Sequence, residues 1–105
     1  MRILFDQGTP VPLRKHLRDH SVDTAFERGW SQLANGVLLD VAAKDGYEAL
    51  ITTDQNLRYQ QQLAHRSIAI VVLMTTSWPR IRNHVSAIRE SLDSIKAGGY
   101  IEIEI

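Results

Sequence analysis

Ser67-Ile68-Ala69-Ile70-Val71-Val72-Leu73 is the stretch that decides the fold. From Ile68 onward the run is apolar without a break, and it is rich in β-branched side chains. A strand with one wet face alternates; a continuous run signals burial on both faces, in the middle of a parallel sheet. Parallel neighbours need crossover connections, so helices are expected on either side of it in sequence. Downstream, Ile81, Val85, Ile88, Leu92 and Ile95 recur every three or four residues, which predicts one long amphipathic helix after Ser77. Gly98-Gly99 stops that helix. Tyr100 to Ile105 then alternates strictly, as a strand at a sheet edge does, with Ile101, Ile103 and Ile105 inward and Glu102 and Glu104 in water.

Upstream, Ala49-Leu50-Ile51-Thr52 reads as a third strand. Asp54 can cap a following helix that runs to about Leu63 and carries the polar surface Tyr59-Gln60-Gln61-Gln62. Asn35-Gly36 opens an earlier helix with Leu38, Val41 and Ala42 on one face, closed at Gly46. Val22 to Phe26 predicts a second strand near an edge, because Asp23 and Glu27 interrupt it. Ile3-Leu4-Phe5 is the first strand, turning at Asp6-Gln7-Gly8. Thr9 then caps a helix that begins at Pro10, points Leu13 and Leu17 inward, and ends at His20-Ser21. Strands and helices alternate throughout. The pattern predicts a single domain over residues 1–105: a three-layer α/β/α sandwich around a small, mainly parallel sheet of about five strands. Right-handed crossovers put helices on both of its faces.

The chain has 105 residues, 44% hydrophobic and 23% charged, which is ordinary globular usage. It has no cysteine, so disulfides, thiolate catalysis and cysteine-ligated zinc are excluded. That also fits a reducing compartment, and the expected location is the cytoplasm. No apolar run approaches the ~20 residues that cross a bilayer. The opening Met-Arg-Ile-Leu-Phe-Asp turns polar too soon for a signal peptide. Twelve basic and 12 acidic residues balance, so an anionic partner would have to be held by a local cluster.

Ligands of open parallel sheets bind beyond the carboxyl ends of the strands, where the strand order reverses. Three strand ends carry polar chemistry: Asp6, then Thr52-Thr53-Asp54 with Asn56 beyond, then Thr75-Thr76-Ser77. With the first strand beside the fourth, these groups would share one rim. Two carboxylates brought together repel, and a divalent cation relieves the repulsion. Mg²⁺ or Mn²⁺ at Asp6 and Asp54, activating a water against a phosphodiester, is the chemistry such a site suits. Each acid also has a plain structural reading, Asp54 as a helix cap and Asp6 as the closure of a turn with Gly8. Asn35 reads as a cap, and Asn56 as either a cap or a support. Thr53 and Ser77 are supporting candidates. Arg58, Arg80 and Arg82 lie in first turns of helices, where the dipole disfavours cations, so they are candidates for binding phosphate as well as for a solvated surface. His16, His20, His65 and His84 lack metal-ligand spacing and read as surface or packing residues.

With those residues placed, Ile3-Leu4-Phe5-Asp6-Gln7-Gly8-Thr9-Pro10 and Leu50-Ile51-Thr52-Thr53-Asp54-Gln55-Asn56-Leu57 resemble the acidic strand ends of short bacterial PIN-like proteins related to toxin-type PIN ribonucleases. Asn56 to Gln61, Ile70 to Leu73 and Trp78-Pro79 extend the resemblance over nearly the whole chain. It implies a metal-dependent endoribonuclease acting on RNA, with Asp6 as the first acid and Asp54 as the acid of the Thr-x-Asp strand end. It also implies an antitoxin protein as a partner. The family often has acids where Asn35 and Asn56 stand here, so a PIN-like module without catalysis, binding RNA or a protein, is the alternative. A receiver-type phospho-acceptor domain is a lesser one, because Asp6 is followed by Gln7 and no lysine sits suitably near the last strand. Any homodimer is expected through helix surfaces, near Trp30 or the polar helix after Asp54, since Glu102 and Glu104 blunt the final edge.

Overall fold

The run at residues 67–73 contains a strand buried along its whole length. In the computed structural model, which describes residues 1–57 and 66–105, this is β4 (Ala69–Leu73), with all five side chains buried. It belongs to a sheet with β1 (Arg2–Phe5), β2 (Ser21–Thr24), β3 (Ala49–Thr52) and β5 (Tyr100–Ile103). The order is β2-β1-β3-β4-β5, and every pairing is parallel. The protein is therefore α/β, with a five-stranded, all-parallel sheet. The expected adjacency of β1 and β4 is corrected, because β3 lies between them. Strand order depends on long-range pairing, which leaves no mark on a local apolar pattern. The consequence favours the rim: β1 and β3, the strands that lead to Asp6 and Asp54, are direct neighbours.

Alternate residues of the inner strands feed two separate cores. Ile3, Phe5, Ile51, Val71 and Leu73 pack with Leu13 and Leu17, and with Ile81, Ile88 and Leu92. Leu4, Leu50, Ile70 and Val72 pack on the opposite face with Leu38, Leu39 and Ala42. One face is thus covered by the 3-10 helix Val11–His16 together with α2 (Trp78–Arg82) and α3 (Val85–Ser94), the other by α1 (Asn35–Lys44). Each fully buried Leu, Ile, Val or Phe contributes about 1.5–3 kcal/mol against exposure, which makes this two-sided burial the main stabilising term.

Four local expectations change. Thr9 does not cap a helix: the residue before the 3-10 helix is Pro10, without a side-chain cap bond, while Thr9 is buried and bonded elsewhere. β2 stops at Thr24, where Thr24 N–H donates to Glu27 Oε1 (2.9 Å) and Glu27 N–H to Thr24 Oγ1 (3.1 Å). This reciprocal closure is the Thr-x-x-Glu pattern of a capping box, here ending a strand. The single long helix after Ser77 is two helices. Asn83 and His84 N–H bond three residues back, to Arg80 and Ile81, and the His84 ring sits 3.0 Å from the Arg80 carbonyl. A side chain that competes for the helix carbonyls breaks the ladder although the apolar period continues through it. Finally, the crossovers do not all have one hand. The β1→β2 connection and the β4→β5 connection cover the same face but step in opposite directions across the sheet. The β2→β3 connection, through α1 on the other face, shares the hand of β1→β2. The β4→β5 connection is therefore opposite in hand to these two, against the strong general preference for one hand.

Other expectations hold. Gly46 ends α1 with φ +94, a conformation that a side chain disfavours. β2 and β5 are the edges, and Ile101 and Ile105 flank the buried Ile103 on one core. Trp30 is half-buried, with the Arg28 guanidinium 4.4 Å from its ring centre and the Tyr47 ring edge-on at 6.1 Å. The helix expected from Asp54 to about Leu63, with its Tyr59 to Gln62 surface, and Arg58 and His65 lie outside the described residues, apart from the segment up to Leu57. Among the described residues no helix is long and apolar enough to cross a membrane.

Val71 shows no exposed surface at the centre of this arrangement. Val71→Asp places a carboxylate there without a counter-charge, a penalty of several kcal/mol against a total stability of about 5–15 kcal/mol. The variant is expected to be unfolded or insoluble, as checked by circular dichroism and thermal melting beside wild type.

Candidate functional site

The chain passes to the left of β1 through β2 and returns over it to β3, so the strand order reverses between β1 and β3. At such a point the loops leaving two adjacent strands diverge to opposite faces and leave a crevice at the carboxyl ends. Asp6 immediately follows β1 there, and Asp54 follows β3 by two residues. Their backbones are tied to the sheet and to local turns. Asp6 N–H donates to Ile51 O (3.1 Å), Thr9 N–H closes a turn onto Asp6 O (3.2 Å), and Leu57 N–H reaches Asp54 O (3.3 Å).

The Thr52 hydroxyl links the Asp6 side chain to the Asp54 backbone. It donates to Asp6 Oδ2 and accepts the Asp54 N–H at 3.0 Å. Asp6 Oδ1 lies 2.8 Å from Thr9 Oγ1, which is also 2.8 Å from the Ile51 carbonyl. The single Thr9 proton cannot serve both acceptors fully. A proton on Asp6 removes the conflict, since Asp6 Oδ1 then donates to Thr9 and Thr9 donates to Ile51 O. Burial pushes the Asp6 carboxyl above its ordinary value, and it does so against the hydroxyl bonds from Thr52 and Thr9, which pull the other way. Gly8 belongs to the same cradle: a Cβ there would lie 2.5 Å from Thr53 Oγ1 and 3.8 Å from Asp6 Oδ1.

Asp54 is held by neutral donors. Asn35 Nδ2 donates to Asp54 Oδ2 at 2.6 Å, and Asn56 N–H donates to Asp54 Oδ1 at 3.0 Å. Asn35 is thus not the cap; Ala34 precedes α1 without a side-chain cap bond, and Asn35 is the first helical residue, turned onto the acid. Asn56 contributes its backbone. Neither Asp6 nor Asp54 has an ion pair among the described residues. Among those residues, too, no group of three or more His, Asp or Glu could hold a metal ion. Two carboxylates remain as hard oxygen donors, which meets the usual protein contribution to a Mg²⁺ or Mn²⁺ site completed by water.

The other candidates lie apart. Ser77 N–H bonds locally to Thr75 Oγ1 (3.2 Å), and among the described residues no hydrogen bond joins Ser77 to either acid. Arg80 Nη2 donates to Ile105 O (2.9 Å), and Arg82 is exposed. Because the helix breaks at Asn83, both arginines stand in the last turn of α2, where a dipole favours cations; their position no longer argues for an anion. His16 packs against Trp78 with ring centres 5.6 Å apart, and His20 Nδ1 lies 3.3 Å from the N-terminal amine.

Sequence reasoning missed the groups that complete the rim. Asp6 opens onto a cleft of about 360 Å³ lined by Gln7, Thr9, Val11 and Arg14, and across from them by Thr24, Phe26 and Glu27. Arg14 spans its wall to Glu27 with two bonds, at 2.9 and 3.2 Å, and holds the Glu27 carboxyl below its usual range. Thr24-x-x-Glu27 was visible as a spacing; its partner Arg14 was not. No protein-family model, no curated protein and no solved structure matches the chain.

The raised Asp6 carboxyl has a consequence for stability. In the native state it keeps its proton at pH values where the unfolded chain, near 3.8, has lost it. That stability is fully present below the unfolded value and is lost as pH rises through the native one. Asp6→Asn reproduces the protonated pattern, with Nδ2 donating to Thr9 and Oδ1 accepting from Thr52. In chelator-treated protein it is expected to raise the melting temperature at neutral pH, the gain vanishing toward pH 4. Melting curves of both proteins across that range check it.

Proposed function

We propose that this chain is a PIN-like, metal-dependent ribonuclease in which Asp6 and Asp54 hold one Mg²⁺ or Mn²⁺. The observation that carries this reading is the pair of acids after adjacent strand ends at the point of reversal, with the Thr52 hydroxyl linking the Asp6 carboxyl to the Asp54 backbone N–H and neither acid having an ion pair among the described residues. A buried carboxylate at the end of a dry strand is unfavourable as an ion unless a cation or proton meets it. A bound divalent ion would supply both an activated water and neutralisation of phosphodiester charge. The chain's own contribution is positional. Thr52 and Thr9 fix the Asp6 carboxyl, Asn35 and the Asn56 N–H fix that of Asp54, and the cleft beside Asp6 leaves room for a substrate group.

A second reading, a PIN-like module that binds RNA or a protein without cleaving, is favoured by the Asn35 contact. At 2.6 Å the amide already occupies Asp54 Oδ2 with a neutral donor. The receiver-type reading loses ground on two counts. None of the three lysines, Lys15, Lys44 and Lys96, follows β5. A sheet of this order with crossovers of one hand would also carry the β4→β5 helices on the face of α1, whereas here they cover the other face.

Asp54→Asn separates the readings. The amide keeps an oxygen for the Asn56 N–H, and Asn35 can rotate to offer its own oxygen to the new amide, so folding should be retained. A carboxylate ligand is lost. Calorimetric titration of Mn²⁺ is expected to show binding to wild type and an affinity lower by at least about ten-fold in the variant, with metal-dependent cleavage of RNA falling in parallel. Wild type that takes up no Mn²⁺ at millimolar concentration would leave the binding module as the function.

A further inference from the structure

Three large hydrophobic side chains stand out on the described surface: Phe26 (77% exposed), Val11 (54%) and Val37 (49%). All three follow carboxyl ends of strands. Val11 begins the 3-10 helix after β1, Phe26 lies two residues beyond β2, and Val37 is in the first turn of α1. Single exposed apolar residues need no explanation, but Phe26 and Val11 line the same cleft as the Asp6 carboxyl. A benzyl side chain left three-quarters in water contributes little to the fold, and the loop that carries it is fixed by other groups. Thr24 and Glu27 bond reciprocally, and Glu27 is clamped by Arg14. Phe26 is thus presented on a braced turn.

The cleft continues along the 3-10 helix. Val11, Arg14 and Glu27 also line a shallow hollow that includes Lys15. Lys15 in turn borders a hollow of about 550 Å³ with His16, Arg18, Asp19 and Arg89. Asp19 pairs with Arg89 at 3.7 Å, while Lys15 and Arg18 have no ion pair among the described residues. An aromatic face beside Asp6 therefore leads into a strip with surplus positive charge, on a protein whose net charge is zero. This pairing suits a polymer with flat bases and a phosphate backbone. Single-stranded nucleic acid is held by stacking on aromatic side chains together with a basic groove that tracks the phosphates.

We infer that the chain grips single-stranded RNA by stacking a nucleobase on Phe26 in the Asp6 cleft, with the phosphates running past Lys15 and Arg18. The inference rests on the RNA reading proposed above and specifies its substrate as unpaired; a base inside a duplex cannot offer its face to Phe26.

The test is fluorescence anisotropy with a dye-labelled oligouridylate in chelator, so that it does not depend on the metal. Wild type should bind, Phe26→Ala should weaken binding about ten-fold, and Phe26→Trp should retain it. The new indole should also be quenched on adding RNA. Lys15→Glu combined with Arg18→Glu should lower affinity and flatten its salt dependence. Because Phe26 is exposed, its replacement leaves the cores intact. Equal affinity of wild type and Phe26→Ala, or no binding by wild type, would overturn the proposal. So would self-association that Phe26→Ala abolishes while RNA affinity stays unchanged, which would assign the surface to a second copy of this chain. The nuclease reading fails separately. Phe26-dependent RNA binding with no uptake of Mn²⁺ keeps the grip and removes the enzyme; Mn²⁺-dependent cleavage indifferent to Phe26→Ala does the reverse.

Discussion

Three adjacent strands are dry on both faces, β1 from Ile3 to Phe5 and β3 and β4 along their whole length, and the rest of the molecule is arranged around that constraint. A strand buried on both faces has no place for a charge along its length, because the cost of an unpaired buried ion exceeds what neighbouring packing returns. Helices must cover both faces, and polar chemistry is pushed to the strand ends. Thr52 shows how narrow the margin is. It is the last residue of β3 and is 1% exposed, and its hydroxyl is used twice, once as donor to Asp6 and once as acceptor from Asp54 N–H. One methyl-sized step beyond the apolar core, the chain changes from packing to hydrogen bonding, and the two acids begin there.

The inner strands were legible because their signal is local: an unbroken apolar run means two covered faces wherever it pairs. What depends on contacts between distant residues was not. Thr9 before Pro10 has the composition of a cap, yet its hydroxyl answers to the Ile51 carbonyl, 42 positions away. Asn35 likewise has the composition of a cap, and its amide answers to Asp54. The helix period through Ile81, Val85 and Ile88 hides the break at Asn83-His84, since a short interruption leaves the apolar face nearly in phase. Of the rim, the two acids were visible as polar residues after strands. The hydroxyls and amides that fix them were visible only as residues with ordinary turn chemistry.

The connection of opposite hand also follows from covering needs. The 3-10 helix Val11–His16 is short and supplies only Leu13, with Leu17 just beyond, to its face. That leaves the β4 and β5 side of the same face open. α2 and α3 fill it with Ile81, Ile88 and Leu92, and Trp78 settles against His16 beside the 3-10 helix. On the other face, α1 is a regular ten-residue helix, and Leu57 and Ile68, which flank the undescribed segment, pack in the same core. The β4→β5 helices thus lie where apolar strand surface remained uncovered, which offsets the usual preference for hand.

Among the described residues, the two acids of the rim are met by neutral donors and by no side-chain cation. Two hydroxyls meet Asp6, and an amide and a backbone N–H meet Asp54. Such donors steady a carboxyl group without cancelling its charge. An acid in place of Asn35 would remove a donor from Asp54 and add a like charge beside it, and the fold would then need a cation to hold that corner together. Asparagine at this position keeps the negative charge of the corner lower than an acid would. Beside it, the cleft that Asp6 lines carries the exposed Phe26, so the polar strand end and an uncovered aromatic ring meet at one edge of the sheet.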